Sequence, residues 1–163
     1  MIRTMKNTNK IFSNMLMVTL FIMGFAFLSS VNAALVKGSA YSGSEAGGST
    51  SYTVSVNQPS GSDRFLMVVV AHDPVGGDVN GVTFNGDAMT LKTTLSAAGF
   101  VERSYGLVNA DAGTYNLVIS FSSAPTYGWA WLAQGFTGST GFGNTTANNY
   151  VNSPHSKTIT VSE

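Results

Sequence analysis

The sequence after residue 33 predicts an all-β domain, an antiparallel β-sandwich of the jelly-roll or immunoglobulin-like type. About seven short segments alternate apolar and polar residues, as half-buried strands do. Clusters of glycine, proline, asparagine and serine separate these segments. No segment in this region repeats its apolar residues with the period of a helix. Many short strands divided by turn clusters, in a chain of this length, are typical of a sandwich.

The first two predicted strands differ in pattern. Tyr52, Val54 and Val56 alternate with polar residues, which predicts a strand with one face in the core. Residues 65–71 are apolar throughout and only seven in number, which is too short for an ordinary helix and suits a central strand covered on both faces. Asp73-Pro74 ends this strand, because proline has no amide hydrogen for a sheet ladder.

A hairpin is predicted around Asn85-Gly86. This dipeptide between alternating segments favours a type I′ turn, in which both central residues take a positive φ. We expect Val82 to lie opposite Met89, and Phe84 and Leu91 to share the same apolar face.

Four further strands are predicted, at residues 102–108, 115–121, 127–136 and 157–161. The last ends two residues before Glu163 and has no hairpin partner after it. An unpaired strand exposes a sheet edge. Either this strand is a true edge or the sandwich is truncated at its C-terminus.

Residues 1–33 have the layout of a helical secretory signal peptide. Arg3, Lys6 and Lys10 precede an apolar run of 14 residues, and Val31-Asn32-Ala33 follows it. We expect cleavage between Ala33 and Ala34, with membrane contact only during export to the cell surface or the medium. An uncleaved membrane anchor is the alternative, but it would need roughly 20 apolar residues. Residues 34–50 are rich in glycine and serine and predict a flexible lead-in with one short edge strand at most, before a domain at 51–163.

Composition excludes several functional classes. Loss of residues 1–33 leaves 5 basic and 8 acidic residues, a formal net charge of −3. The five basic residues are scattered singly, so we expect no nucleic-acid binding. The absence of cysteine excludes thiol nucleophiles and thiolate metal sites, and it leaves the hydrophobic core as the source of stability.

No catalytic residue is predicted, and we expect the chain not to be an enzyme. His72 and Asp73 are adjacent, but neighbouring strand residues point to opposite faces and cannot act as an oriented pair. The chain has no Gly-x-Ser-x-Gly motif for a nucleophile, and no single pair of acids stands out as a hydrolytic pair.

Four oxygen-bearing side chains on neighbouring predicted loops form a candidate Ca²⁺ site: Asp73, Asp78, Asn80 and Asp87. Calcium takes six to eight oxygen ligands, and this spacing matches no established calcium loop. Ordinary turn chemistry of aspartate and asparagine is the alternative reading, and no other cofactor is predicted.

An aromatic row formed by Tyr127, Trp129 and Trp131 alternates along one predicted strand. If exposed, the row would be a candidate ligand-binding surface, because flat aromatic rings with polar tips stack on sugars. The alternative is that the rings fill the core, with Ala130, Leu132 and Gln134 facing outward.

Four segments together resemble a β-sandwich module of bacterial secreted and cell-surface multidomain proteins: residues 64–70, 82–91, 107–119 and 133–138. The resemblance implies a structural building block without general catalytic residues, in proteins that continue with further strands. It implies a role in cell-surface structure, adhesion or matrix attachment, with a surface polymer or a protein as partner. A carbohydrate-binding module that uses the aromatic row is the alternative function.

Overall fold

The computed structural model describes residues 34–97, 99–139 and 141. These residues form nine strands: β1 Val36–Glu45, β2 Ser51–Gln58, β3 Phe65–His72, β4 Val79–Phe84, β5 Asp87–Ala88, β6 Thr90–Ala97, β7 Phe100–Val108, β8 Gly113–Phe121 and β9 Trp129–Thr137. The predicted signal peptide and the strand predicted at 157–161 lie outside the described residues. The described ranges contain no helix with the length and hydropathy needed to span a bilayer.

The strands form two antiparallel sheets. One sheet has five strands in the order β1-β9-β3-β7-β6, and the other has four in the order β2-β8-β4-β5. The predicted all-β, two-sheet sandwich is therefore confirmed. The strand predicted at 65–71 is central, because β3 pairs with both β7 and β9.

The core lies between the inner faces of the two sheets. In β3, Leu66, Val68 and Val70 are fully buried, and Leu117 and Ile119 of β8 are fully buried as well. Each such side chain contributes about 1.5–3 kcal/mol relative to an exposed position. The outer face of β3 is only partly covered, since Met67, Val69 and Ala71 are half-buried. We predicted that β3 is covered on both faces. Its inner face is fully covered, and its outer face is covered only in part.

The hairpin forms at Asn85-Gly86, whose φ angles of 51° and 89° are both positive. The amide of Met89 donates to the carbonyl of Val82 at 2.9 Å, as predicted. The prediction for Leu91 is wrong: this residue lies on β6 of the other sheet and is 44% exposed. The chain leaves the four-stranded sheet after β5, so the alternation of the hairpin does not continue to residue 91.

The segment predicted as a flexible lead-in, residues 34–50, contains the strand β1. This strand has ten residues and pairs with β9 along an edge of the five-stranded sheet. Gly43 is needed for packing, because a Cβ there would lie 2.7 Å from the indole nitrogen of Trp131. Glycine therefore lets a large ring lie against the backbone of β1, so a composition typical of linkers is here a packing requirement.

Gln134 follows Ala130 and Leu132 in the alternation along β9, but those two residues are exposed and Gln134 is only 7% exposed. The pairing of β1 with β9 shifts register between Lys37 and Ala40. The side-chain amide of Gln134 donates to the carbonyl of Gly38 in this irregularity, at 2.8 Å. The bulge in β1 thus covers Gln134 and satisfies its amide.

Candidate functional site

His72 ends β3 and is buried, with 2% of its surface exposed. Its Nδ1 lies 2.9 Å from the carbonyl oxygen of Asp73. A carbonyl only accepts, so Nδ1 carries the hydrogen in this contact. Its Nε2 lies 3.1 Å from Oδ1 of Asp78, although the contact lacks hydrogen-bond geometry. The ring also meets Phe121 edge-on, at a centroid distance of 5.8 Å.

Asp78 connects His72 to Arg103. The guanidinium of Arg103, on β7, donates to Oδ2 of Asp78 and, at 3.4 Å, to the carbonyl of Val79. Oδ1 of Asp78 also accepts from the amide of Val79 at 2.8 Å. Asp78 therefore ties β3, the start of β4 and β7 together. Its side chain is 50% exposed, so water screens these contacts.

Arg103 also interacts with Tyr105, which lies two residues further along the inner face of β7. Burial raises the pKa of Tyr105, while the contact with Arg103 acts in the opposite direction. The cluster thus combines a buried ring, an ion pair and a buried phenol. The His72 side chain has no exposed surface and its Nδ1 donates to the carbonyl of Asp73, so the ring is part of the packing at this end of the sheet.

The four predicted calcium ligands do not converge. Asp73 accepts from the amide of Val75 at 2.7 Å in an Asx turn, and Asp78 is engaged with His72 and Arg103. Asp87 pairs with Phe84 at the opposite end of β4, roughly 16 Å along the strand from the Asp78 end. Asn80 is exposed on β4. Among the described residues, no three His, Asp or Glu side chains are grouped to hold a metal ion. The length of β4 therefore separates Asp87 from Asp78 and Asn80.

The aromatic row does not form an exposed stacking surface. Trp129 and Trp131 are each 6% exposed and face the core. Tyr52 of β2 meets the Trp129 ring edge-on, with centroids 5.3 Å apart, and tilts toward Trp131 at 6.2 Å. Tyr127 alone of the three presents surface, with 57% exposed. The row is thus divided between core and surface, which favours the core interpretation for the two tryptophans.

An open groove of about 640 Å³ lies where one end of the five-stranded sheet meets its loops. We call it the strand-end groove. The end of β1, the end of β3, the start of β7 and the start of β9 meet there, because these neighbours are antiparallel. The lining residues that matter for chemistry are Glu45, His72, Asp73, Phe100, Tyr127 and Trp129.

Two aromatic side chains and two carboxylates distinguish the strand-end groove. Phe100 is 40% exposed, and Tyr127 is more exposed still. Glu45 and Asp73 supply the negative charges, and the described lining residues include no lysine or arginine. The hydrogen bond to Glu45 is the main cause that raises the pKa of Tyr52, followed by burial. The Glu45 carboxylate therefore lies close to Tyr52 of the four-stranded sheet.

Sequence reasoning found Tyr127 and Asp73 but missed Glu45 and Phe100 as site residues. Glu45 lies in the segment interpreted as a lead-in, and Phe100 precedes the strand predicted at 102–108. No local motif marks either residue, because each joins the groove only through long-range strand pairing.

Comparison with protein families, with curated proteins and with solved structures finds no match to this chain.

Proposed function

We propose that this chain is an exported, non-enzymatic β-sandwich module that serves cell-surface structure, adhesion or matrix attachment. The observation that carries the proposal is the strand-end groove, where Phe100 and Tyr127 present apolar surface on the ends of paired strands. Exposed aromatic residues in a concave site are typical of binding surfaces. The signal-peptide pattern of residues 1–33 supports export.

The non-enzymatic part of the proposal is supported by how His72 and Asp78 are used. They are the pair that comes nearest to an acid–base couple, and both make contacts that join strands. General-base catalysis needs a basic atom within reach of a substrate proton. The His72 side chain has no exposed surface, so neither of its ring nitrogens is open to a substrate.

Carbohydrate binding is a second candidate function, favoured by the exposure of Tyr127 within the strand-end groove. The version of this hypothesis that used Trp129 and Trp131 loses its support, because both rings pack in the core.

The test follows the full-length chain in the cells that encode it. Fractionation and N-terminal sequencing should find a product that begins at Ala34 in the surface or extracellular fraction. The purified product, added from outside, should bind again to washed cells or their matrix. Ala33→Phe is the matched control, because a large side chain at the cleavage site should block processing. Retention of the unprocessed wild-type chain inside the cell, or no rebinding, would contradict the proposal.

A further inference from the structure

We infer that the strand-end groove binds a neutral glycan, with a pyranose ring stacked on Tyr127 and Phe100 and hydroxyl groups donating to Glu45 and Asp73. The inference rests on the proposed function, of which it names the ligand.

Two exposed aromatic side chains in the groove offer a surface on which a sugar ring can stack. Tyr127 and Phe100 are 57% and 40% exposed, yet both line a concave surface. Phe100 begins β7, and Tyr127 precedes β9 by two residues. Both strands pair with β3, so the two residues lie at the same end of the sheet. Apolar ring faces beside polar groups suit a ligand with one apolar face and a hydroxylated edge, as a pyranose has.

Two carboxylates in the groove can accept hydrogen bonds from sugar hydroxyls. Oδ1 of Asp73 accepts from the amide of Val75, and Glu45 lies close enough to Tyr52 to raise the pKa of its phenol. Asp73 is thus oriented by one bond, and both carboxylates retain acceptor capacity for a ligand. Sugar hydroxyls donate to such acceptors, and hydrogen bonds to charged groups are the stronger kind.

Charge then selects among glycans. Glu45 and Asp73 make the groove negative, with no lysine or arginine in the described lining to offset them. An anionic glycan would bring a third negative charge into the groove and be repelled. A neutral glycan needs no counter-charge, and its hydroxyls match the acceptors present.

The two segments that supply Glu45 and Tyr127 are joined by residues next to those that line the groove. The amide of Gly48 donates to the carbonyl of Pro125 at 2.9 Å, which joins the β1–β2 turn to the segment that carries Tyr127. A Cβ on Gly47 would lie 2.0 Å from the same oxygen, so the two backbones are in close contact. A wall fixed before binding lowers the entropy cost of holding a ligand.

The experiment measures binding of the exported full product by isothermal titration calorimetry. The neutral probes are cellohexaose, maltohexaose and laminarihexaose; the charged probes are hexagalacturonate and the glucosamine hexamer. At least one neutral probe should bind, and Tyr127→Ala and Phe100→Ala should each weaken that binding about tenfold, as expected for loss of an aromatic anchor. Tyr127→Phe should keep most of the affinity, since it retains the ring.

Leu91→Ala is the matched control, because Leu91 is an exposed apolar residue on β6, away from the groove lining. It should leave binding unchanged. Circular dichroism of every variant should match that of the wild type, which separates loss of the site from loss of the fold.

Three results would overturn the inference: no neutral probe binds, binding survives both alanine substitutions, or only a charged probe binds. Surface attachment without glycan binding would overturn this inference and leave the proposed function in place. Glycan binding by a chain that stays inside the cell would overturn the proposed function and leave this inference in place.

Discussion

The side-chain amide of Gln58 donates to the backbone carbonyl of Phe136 at 3.0 Å, across the interior of the sandwich. Gln58 ends β2 in the four-stranded sheet, whereas Phe136 belongs to β9 in the five-stranded sheet. The same amide nitrogen lies 3.4 Å from the carbonyl of Phe65 on β3. Gln58 is 1% exposed, so one buried amide joins the two sheets where water cannot replace it.

Gln58→Ala should therefore lower the free energy of unfolding by about 2 kcal/mol, because buried carbonyls lose a donor and a space opens. Urea denaturation followed by circular dichroism measures the change. Asn57→Ala is the control: Asn57 is exposed, and its side-chain amide donates to the exposed hydroxyl of Thr114. Its loss should stay below about 0.5 kcal/mol, and equal losses at the two positions would argue against the cross-sheet tie.

Asp78→Asn should lower the free energy of unfolding by about 1 kcal/mol, because Arg103 and His72 lose their shared carboxylate while half of that side chain is already in water. The deficit should shrink in about 1 M salt, which screens the ion pair in the wild type. Denaturation curves at low and high salt test both points. Asp87→Asn, at an exposed position on β5, should change little in either condition; a salt-independent deficit at Asp78 would contradict the electrostatic explanation.

Gly86→Ala should cost about 1–2 kcal/mol, because residue 86 has a φ of +89° that an L side chain rarely adopts. No atom lies within 4 Å of a Cβ built there, so the cost is one of backbone conformation. Gly81→Ala separates this effect from side-chain addition in general, since Gly81 has the same open surroundings without a positive φ. We expect it to be neutral or slightly stabilising in thermal unfolding, and a loss as large as that of Gly86→Ala would contradict the turn argument.

Tyr52 should make stability depend on alkaline pH. The hydrogen bond to Glu45, and then burial, raise the pKa of Tyr52 above its ordinary value of 10.0, so folding favours the protonated phenol. The stability that Tyr52 contributes is complete below the unfolded pKa of 10.0 and is lost as pH rises through the higher folded value.

The measurement is urea denaturation from about pH 8 to about pH 11, which spans the tyrosine titration range. Tyr52→Phe should be less stable than the wild type at the lower end, and the gap should close toward the upper end. Glu45→Gln should lower the pKa of Tyr52, seen as an earlier phenolate absorbance change that Tyr52→Phe abolishes. A gap that widens with pH would reverse the sign and refute the argument.

Local patterns predicted much of the fold. The alternation around Tyr52, Val54 and Val56 marks β2, and the apolar run at 65–71 marks β3, because a period of two is a property of the strand itself. The turn at Asn85-Gly86 was predictable for a similar reason, since positive φ angles restrict which residues are tolerated.

Other elements depend on what packs against them. β1 has the composition of a linker, yet it pairs with β9 as a strand, and Gly43 leaves room for the Trp131 ring of β9. Leu91 falls outside the four-stranded sheet because the chain crosses to the other layer after β5. Neither outcome is encoded in a window of a few residues.

By itself, then, the sequence determined the all-β class, the positions of most strands and the hairpin turn, since these follow from side-chain alternation and backbone conformation. Only the tertiary structure decided that Trp129 and Trp131 face the core, that the predicted calcium ligands lie apart, and that Glu45 and Phe100 share a groove with Tyr127. The physical reason is that a strand's own pattern distinguishes two faces without saying which partner covers either one. That choice belongs to pairings such as β1 with β9 and β3 with β7, which join residues far apart in the chain.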